Sequence, residues 1–120
     1  MYAIDVRTPL TYHLFPVIFV ETPNFTRDVQ ALLSDEEYGE LQQQLADRPE
    51  SGNLIQGTGG LRKVRVGVQG RGKSGGARVV YFWRVSESQI LMLAVYAKNE
   101  KADLSAATRK ALRAIVEKWS

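Results

Sequence analysis

The chain has 120 residues, 44% hydrophobic and 24% charged, with a formal net charge of +3, which is ordinary for one soluble globular domain with a single modest core. It has no Cys and one His, His13; this excludes a disulfide framework, a thiolate metal site and a Cys nucleophile, and leaves zinc or a Ser–His–Asp triad only one imidazole. The longest apolar stretch near the N-terminus, residues 14–20, is broken by Pro16 and falls far below the roughly 20 residues of a membrane span.

Residues 1–16 carry Pro9 and Pro16 and sustain no period. They are expected to form an extension on a domain running over residues 17–120, with initiation at Val17 as a second reading. No basic n-region or clean small-residue cleavage site marks a signal peptide. With the lack of Cys, which fits a reducing compartment, the expected location is the cytoplasm.

Val17 to Glu21 is a short β-branched run and predicts a strand. Thr22-Pro23 predicts an N-cap with proline at the first helical position. Phe25, Val29, Leu32 and Leu33 fall on one face of the helix that follows. Ser34 and Glu37 form a capping box for a second helix with an apolar stripe of Tyr38, Leu41 and Leu45, ended by Pro49. Its acidic residues read as a solvated face with favourable first-turn charges.

Residues 53–56 predict a short edge strand, and Gly57-Thr58-Gly59-Gly60 a flexible turn. Leu61 to Val68 alternates, with Val64, Val66 and Val68 on one side and Lys63 and Arg65 on the other. Residues 70–76 predict a glycine-rich hairpin loop carrying Arg71 and Lys73. Residues 77–85 and 89–97 predict strands, the second apolar nearly throughout and therefore central. Asp103 or Ser105 caps a last helix in which Ala111, Leu112, Ile115 and Trp119 are expected inside, and Arg109, Lys110, Arg113 and Lys118 in water. The predicted class is α+β, a small antiparallel sheet flanked by helices, in the order β-α-α-β-β-β-β-α.

Charge is segregated along the chain. No acidic residue occurs from Ser51 to Ser86, a stretch holding Arg62, Lys63, Arg65, Arg71, Lys73, Arg78 and Arg84. Such a basic face attracts phosphates and is the footprint expected of a nucleic-acid binder; a solvated basic hairpin is the plainer alternative.

Gly67, Gly72, Lys73 and Ser74 match the P-loop pattern letter for letter. That chemistry needs a helix after the loop, whose N-terminal amides meet the phosphates. Gly75-Gly76 is instead followed by a β-branched and aromatic strand, so nucleotide binding is not the favoured reading. Lys73 remains a candidate phosphate contact in a segment where glycines permit close backbone approach.

Lys63 and Arg65 project from the same face of their strand, and Arg78 lies on the next, grouped by alternation with Val80, Phe82 and Arg84. Whether Arg78 shares the face of Lys63 depends on a register the sequence leaves open. Tyr96, Lys98 and Asn99 come at the end of the last strand and can converge with these cations at one edge. Attack of an RNA 2′-hydroxyl on its own phosphate builds negative charge on a five-coordinate phosphorus. Guanidinium groups match those oxygens, and an ammonium crowded by other cations can serve as a base. Tyr96 can stack on a base or be a core residue.

The segments Ile55–Arg65 (I-Q-G-T-G-G-L-R-K-V-R), Gly75–Tyr81 (G-G-A-R-V-V-Y) and Tyr96–Glu100 (Y-A-K-N-E), followed by Asp103-Leu104, resemble RelE-type toxins of the HigB branch, over about residues 17–119. The resemblance implies a RelE-like, microbial-RNase-like fold and a cytoplasmic toxin that cleaves mRNA in the ribosomal A site by metal-independent 2′-hydroxyl attack. It implies no cofactor, and a cognate antitoxin, commonly a helix-turn-helix DNA-binding protein. By the same resemblance Lys63 and Arg65 match the family's basic strand and Arg78 its phosphate-stabilising Arg. Together with the placement argued above, Lys63, Arg65, Arg78 and Lys98 are the expected catalytic residues, and Arg62, Lys73, Tyr96 and Asn99 the expected substrate-binding ones. The pattern departs from well-studied members, which carry an Arg where this chain has Asn99 and a Tyr where it has Leu104; Tyr96 and Lys98 are the expected substitutes. Two other readings stand beside it: a non-catalytic RNA- or ribosome-binding module, and an interaction domain whose basic face docks an acidic protein.

Overall fold

The structure, a computed structural model, describes residues 2–6, 17–68, 72–84, 88–98 and 104–119, and the side chains of 17–68, 76–84, 88–98 and 104–118. The elements are β1 (Tyr2–Val6), β2 (Val17–Glu21), α1 (Pro23–Leu32), α2 (Asp35–Asp47), β3 (Asn53–Leu54), β4 (Leu61–Val68), β5 (Gly72–Arg84), β6 (Gln89–Ala97) and α3 (Ala106–Trp119). From β2 onward this is the expected order. The first strand is an addition: part of the expected extension, residues 2–6, pairs antiparallel with β2.

The sheet is six-stranded in the order β1-β2-β6-β5-β4-β3. All pairings are antiparallel except β2 with β6, which is parallel. A parallel pair needs a long crossover, and here everything from α1 to β5 supplies it. The apolar strand β6 is interior to the sheet, as its composition predicts.

Helices cover both faces. Phe25 and Val29 of α1 and Leu41 and Leu45 of α2 pack on Phe19, Val64, Val79, Tyr81 and Ile90. On the opposite face, Leu112 and Val116 of α3 pack on Val20, Leu61, Val80 and Leu91. The buried stripe of α3 thus uses Val116 rather than Ile115, which is 37% exposed. The helix is turned by about one residue from expectation, and Ala111 is exposed.

Local chemistry explains the junctions. The Thr22 hydroxyl accepts from the Phe25 N–H at 3.2 Å, capping α1, and donates to the Leu93 carbonyl at 3.1 Å. Leu93 is the extra residue of a bulge, lying between the β5 partners Met92 and Ala94. The capping box of α2 forms as expected, Glu37 N–H to Ser34 Oγ at 3.0 Å and Ser34 N–H to Glu37 Oε1 at 2.8 Å. After α2, the buried Tyr81 hydroxyl accepts from Gly52 N–H at 2.9 Å and donates to Pro49 O at 2.6 Å. A Cβ at Gly52 would come within 2.8 Å of the Tyr81 ring, so only glycine fits.

The predicted loop over residues 70–76 is strand from Gly72 on: Val68 pairs with Gly72, and the Lys98 N–H donates to Gly76 O at 3.0 Å. Backbone pairing across β4 and β6 overrides the loop signal of the glycines. Gly72, Lys73 and Ser74 therefore lie in a strand and not ahead of a helix, and the P-loop geometry is not formed.

Candidate functional site

Register decides whether the cations meet, and it brings them together. Arg65 of β4 is paired directly with Arg78 of β5, and Arg78 with Tyr96 of β6. These positions make one row across three adjacent strands. In the next row Lys63 faces Val80, which faces Ala94. By alternation they all lie on the face that carries Leu61, Val80 and Leu91, which is the α3 side. Neighbouring strands lie about 4.8 Å apart, so Lys63, Arg65 and Arg78 are immediate neighbours.

The three cations differ in depth. Arg65 is exposed, Lys63 half-buried, and Arg78 only 7% exposed. The Arg78 Nη1 donates to the Ala77 carbonyl at 3.2 Å, which anchors its guanidinium. Like charges directly opposite on a sheet destabilise it by about 0.2–1 kcal/mol, and burying a cation costs more. An Arg–Arg pair at the centre of such a row works against stability and is what an anion-binding site requires.

Other expected site residues fall elsewhere. Arg62 alternates to the opposite face, where Nη1 donates to Glu50 O at 3.0 Å and Gly52 O at 2.8 Å. It clamps the turn between α2 and β3 and is not part of the cation row. Tyr96 is 4% exposed, in the cluster with Leu104, Leu112 and Val116. Its ring belongs to the core beneath α3 and offers no face for base stacking; the apolar wall of α3 claims it. Lys98 is exposed one residue past β6, opposite Gly76, at the same end of the sheet as Arg78. The side chain of Lys73 and the whole of Asn99 lie outside the described residues. Arg84 shares the α3 face but lies six residues from Arg78 along β5, roughly 20 Å away, with Gln89 Oε1 at 3.5 Å.

A further half-buried cation lies on α3, the helix that covers this face. Arg109 precedes Leu112 by one helical turn and is half-buried, whereas Lys110, Arg113 and Lys118 are exposed. It therefore lies toward the sheet side of α3. Leu104, just ahead of the helix, is buried in the same cluster as Tyr96. The expectation that Arg109 stays in water follows from taking Ile115 as buried; the stripe through Val116 turns Arg109 inward.

Comparison with known proteins agrees with this architecture. The family model of the RelE toxin of the RelE/RelB toxin–antitoxin system matches residues 22–120. The isolated Escherichia coli RelE toxin is similar in fold, at 18% identity and a TM-score of 0.52, covering 81% of this chain and 96% of that one. RelBE, the intact toxin–antitoxin complex of E. coli, contains a chain matched at 16% identity and a TM-score of 0.52, over 64% of this chain and 90% of that one. A mutant of the E. coli toxin in the free state matches at 16% identity and a TM-score of 0.51, over 70% and 85% of the respective chains. With that family match spanning the cation row and all three helices, the chain belongs to the RelE toxin family of toxin–antitoxin systems.

Proposed function

We propose that the chain is a ribosome-dependent endoribonuclease that cleaves mRNA by metal-independent attack of the 2′-hydroxyl, halts translation in the cytoplasm and is neutralised by a cognate antitoxin, expected to be a helix-turn-helix protein. The observation that carries this reading is the placement of Arg65 directly opposite Arg78, with Lys63 in the adjacent row of the same face.

In the proposed reaction the 2′-oxygen forms a bond to phosphorus as the bond to the 5′-oxygen breaks. The products are a 2′,3′-cyclic phosphate and a 5′-hydroxyl; one proton leaves the 2′-hydroxyl and one reaches the departing oxygen. Arg78, anchored and desolvated at the floor of the row, meets the charge that develops on the phosphoryl oxygens. Lys63 flanks the same phosphate, and Arg65, at the rim, holds the neighbouring backbone. Lys98 and Arg109 approach from the ends of β6 and α3. The ribosome supplies attack geometry, which accounts for a site poor in conventional acids and bases.

The burial of Tyr96 favours a second reading, a non-catalytic RNA- or ribosome-binding module, because the row then has no exposed aromatic partner at that position of β6. Primer extension on mRNA from expressing cells separates the two. Cleavage by the parent chain, lost in a folded Arg65→Ala/Arg78→Ala variant, supports the enzyme. Salt-sensitive ribosome binding without cut ends supports the binding module. A folded double variant that cuts as before removes the cation row from both.

A further inference from the structure

The helix-covered face opposite the cation row holds a cleft that the RNA reading does not use. It lies between α1 and α2, has a volume of about 330 Å³, and is lined by Glu21, Thr26, Val29, Leu33, Asp35 and Tyr38 among others. Glu21 ends β2 on the same face as Phe19 and is only 3% exposed. Its carboxylate accepts from the Thr26 hydroxyl at 2.7 Å on one oxygen and from the Tyr38 hydroxyl at 2.5 Å on the other. Both donors are neutral, and among the described residues no cation forms an ion pair with it. A buried carboxylate is costly unless a positive charge meets it. Each oxygen retains acceptor capacity, since a carboxylate offers about four lone-pair sites.

We propose that the cleft between α1 and α2, floored by the Glu21 carboxylate, binds a lysine or arginine side chain presented by a basic peptide partner. Val29 and Leu33, one turn apart near the end of α1, supply an apolar wall for a long aliphatic stem, and Glu21 meets the cationic head. The volume is ample for one such side chain. The first turn of α2 sets the exposed Asp35 at the opening, with the exposed Glu36 next to it in the chain, while the last turn of α1 and the first turn of α2 bring no base to it. That charge continues the preference from a single side chain to the basic peptide that carries it. Burial together with the Glu21 carboxylate pushes the Tyr38 phenol far above its usual range, so it stays a donor at every working pH. This site is independent of the RNA reading and stands or falls separately.

The test is a titration of the full-length ¹⁵N-labelled chain, followed by NMR. The probes are capped Gly-Lys-Gly and Gly-Arg-Gly peptides, the same peptide with norleucine at the centre, and 1,5-diaminopentane. Saturable shifts at the amides of Glu21, Thr26 and Tyr38 are expected with the lysine and arginine peptides and not with norleucine. Binding should weaken at least about tenfold in Glu21→Gln and about twofold in Asp35→Asn. The second variant alters only an exposed side chain, so it reports even if the first is poorly folded. The assignment is overturned by no saturable shift, by equal binding of norleucine, or by binding unchanged in both variants. Tighter binding of the free diamine than of either peptide would also overturn it, since the cleft would then be a small-amine site.

Discussion

Replacing Arg65 by threonine should stabilise the fold while disabling it. Paired Cα atoms in an antiparallel ladder lie about 5 Å apart, and Arg65 reaches outward from a guanidinium that Arg78 keeps near the sheet. With roughly 7 Å between the charges and an effective dielectric of about 40–80, the repulsion is about 0.6–1.2 kcal/mol. Threonine is a good strand residue, so strand propensity offsets little of the relief, and Glu37 and Glu40, which line a pocket with Arg65, set the gain toward the lower end. Urea titration of Arg65→Thr in 20 mM NaCl should show a gain near 0.5–1 kcal/mol that shrinks by more than half in 500 mM NaCl, where screening removes most of the repulsion. Cleavage of translating mRNA should fall about 10²-fold. A variant that is less stable than its parent by an amount insensitive to salt would refute the idea that these cations are held together against their own repulsion.

Three further outcomes follow from the packing. Tyr81→Phe strands a buried Gly52 N–H and withdraws the donor to Pro49 O, so calorimetry should show a loss of about 2–3 kcal/mol, or roughly 10 °C in Tm. The buried Gln42 Nε2 has no partner at full hydrogen-bonding distance and makes only a weak polar contact with the Tyr38 hydroxyl, so Gln42→Leu should leave stability unchanged or raise it by up to about 1 kcal/mol; a loss in chemical denaturation would show that the amide is needed. Burial raises the phenol pKa of both Tyr38 and Tyr81. The folded state then keeps protons that the unfolded chain gives up, so their contribution is complete below about pH 10 and lost as pH rises further. Tm measured between pH 9 and 11.5 should fall more shallowly in Tyr38→Phe than in the parent, and identical slopes would contradict the assignment.

Much of this architecture is written locally. Thr22, Ser34 and Glu37 each act within three residues of themselves, so their caps are legible without a fold. Alternation alone places Lys63 and Arg65 opposite Val64 and Val66, and Arg78 with Val80, because a strand has a period of two. What joins the two groups is the pairing of Arg65 with Arg78, a relation between strands that no single-strand pattern encodes. Tyr96 shows the same limit. A tyrosine at the end of an apolar strand is compatible with a binding face or a core, and only the docking of Leu104 and Leu112 beside it decides. The strand at residues 2–6 escapes detection because a five-residue segment at an edge draws its order from β2. Arg62 misleads for a simpler reason: its charge resembles that of its neighbours, while its parity sends it to the other face.

The side-by-side alignment of β2 and β6 has a consequence for synthesis. The Thr22 side chain closes onto the Leu93 carbonyl across a sequence separation of 71 residues, and β2 has no sheet partner in the body of the domain until the sixth strand exists. The β4–β5 ladder that bears the arginine pair can zip early, since its contacts are local, but Arg78 acquires its full set of neighbours only after β6 is laid beside it. A growing chain thus carries its cations as an open ribbon for most of its length. The row is completed only once β6 and the helix that follows it have been made, so the cations stay apart from their final neighbours until the last elements of the domain are in place.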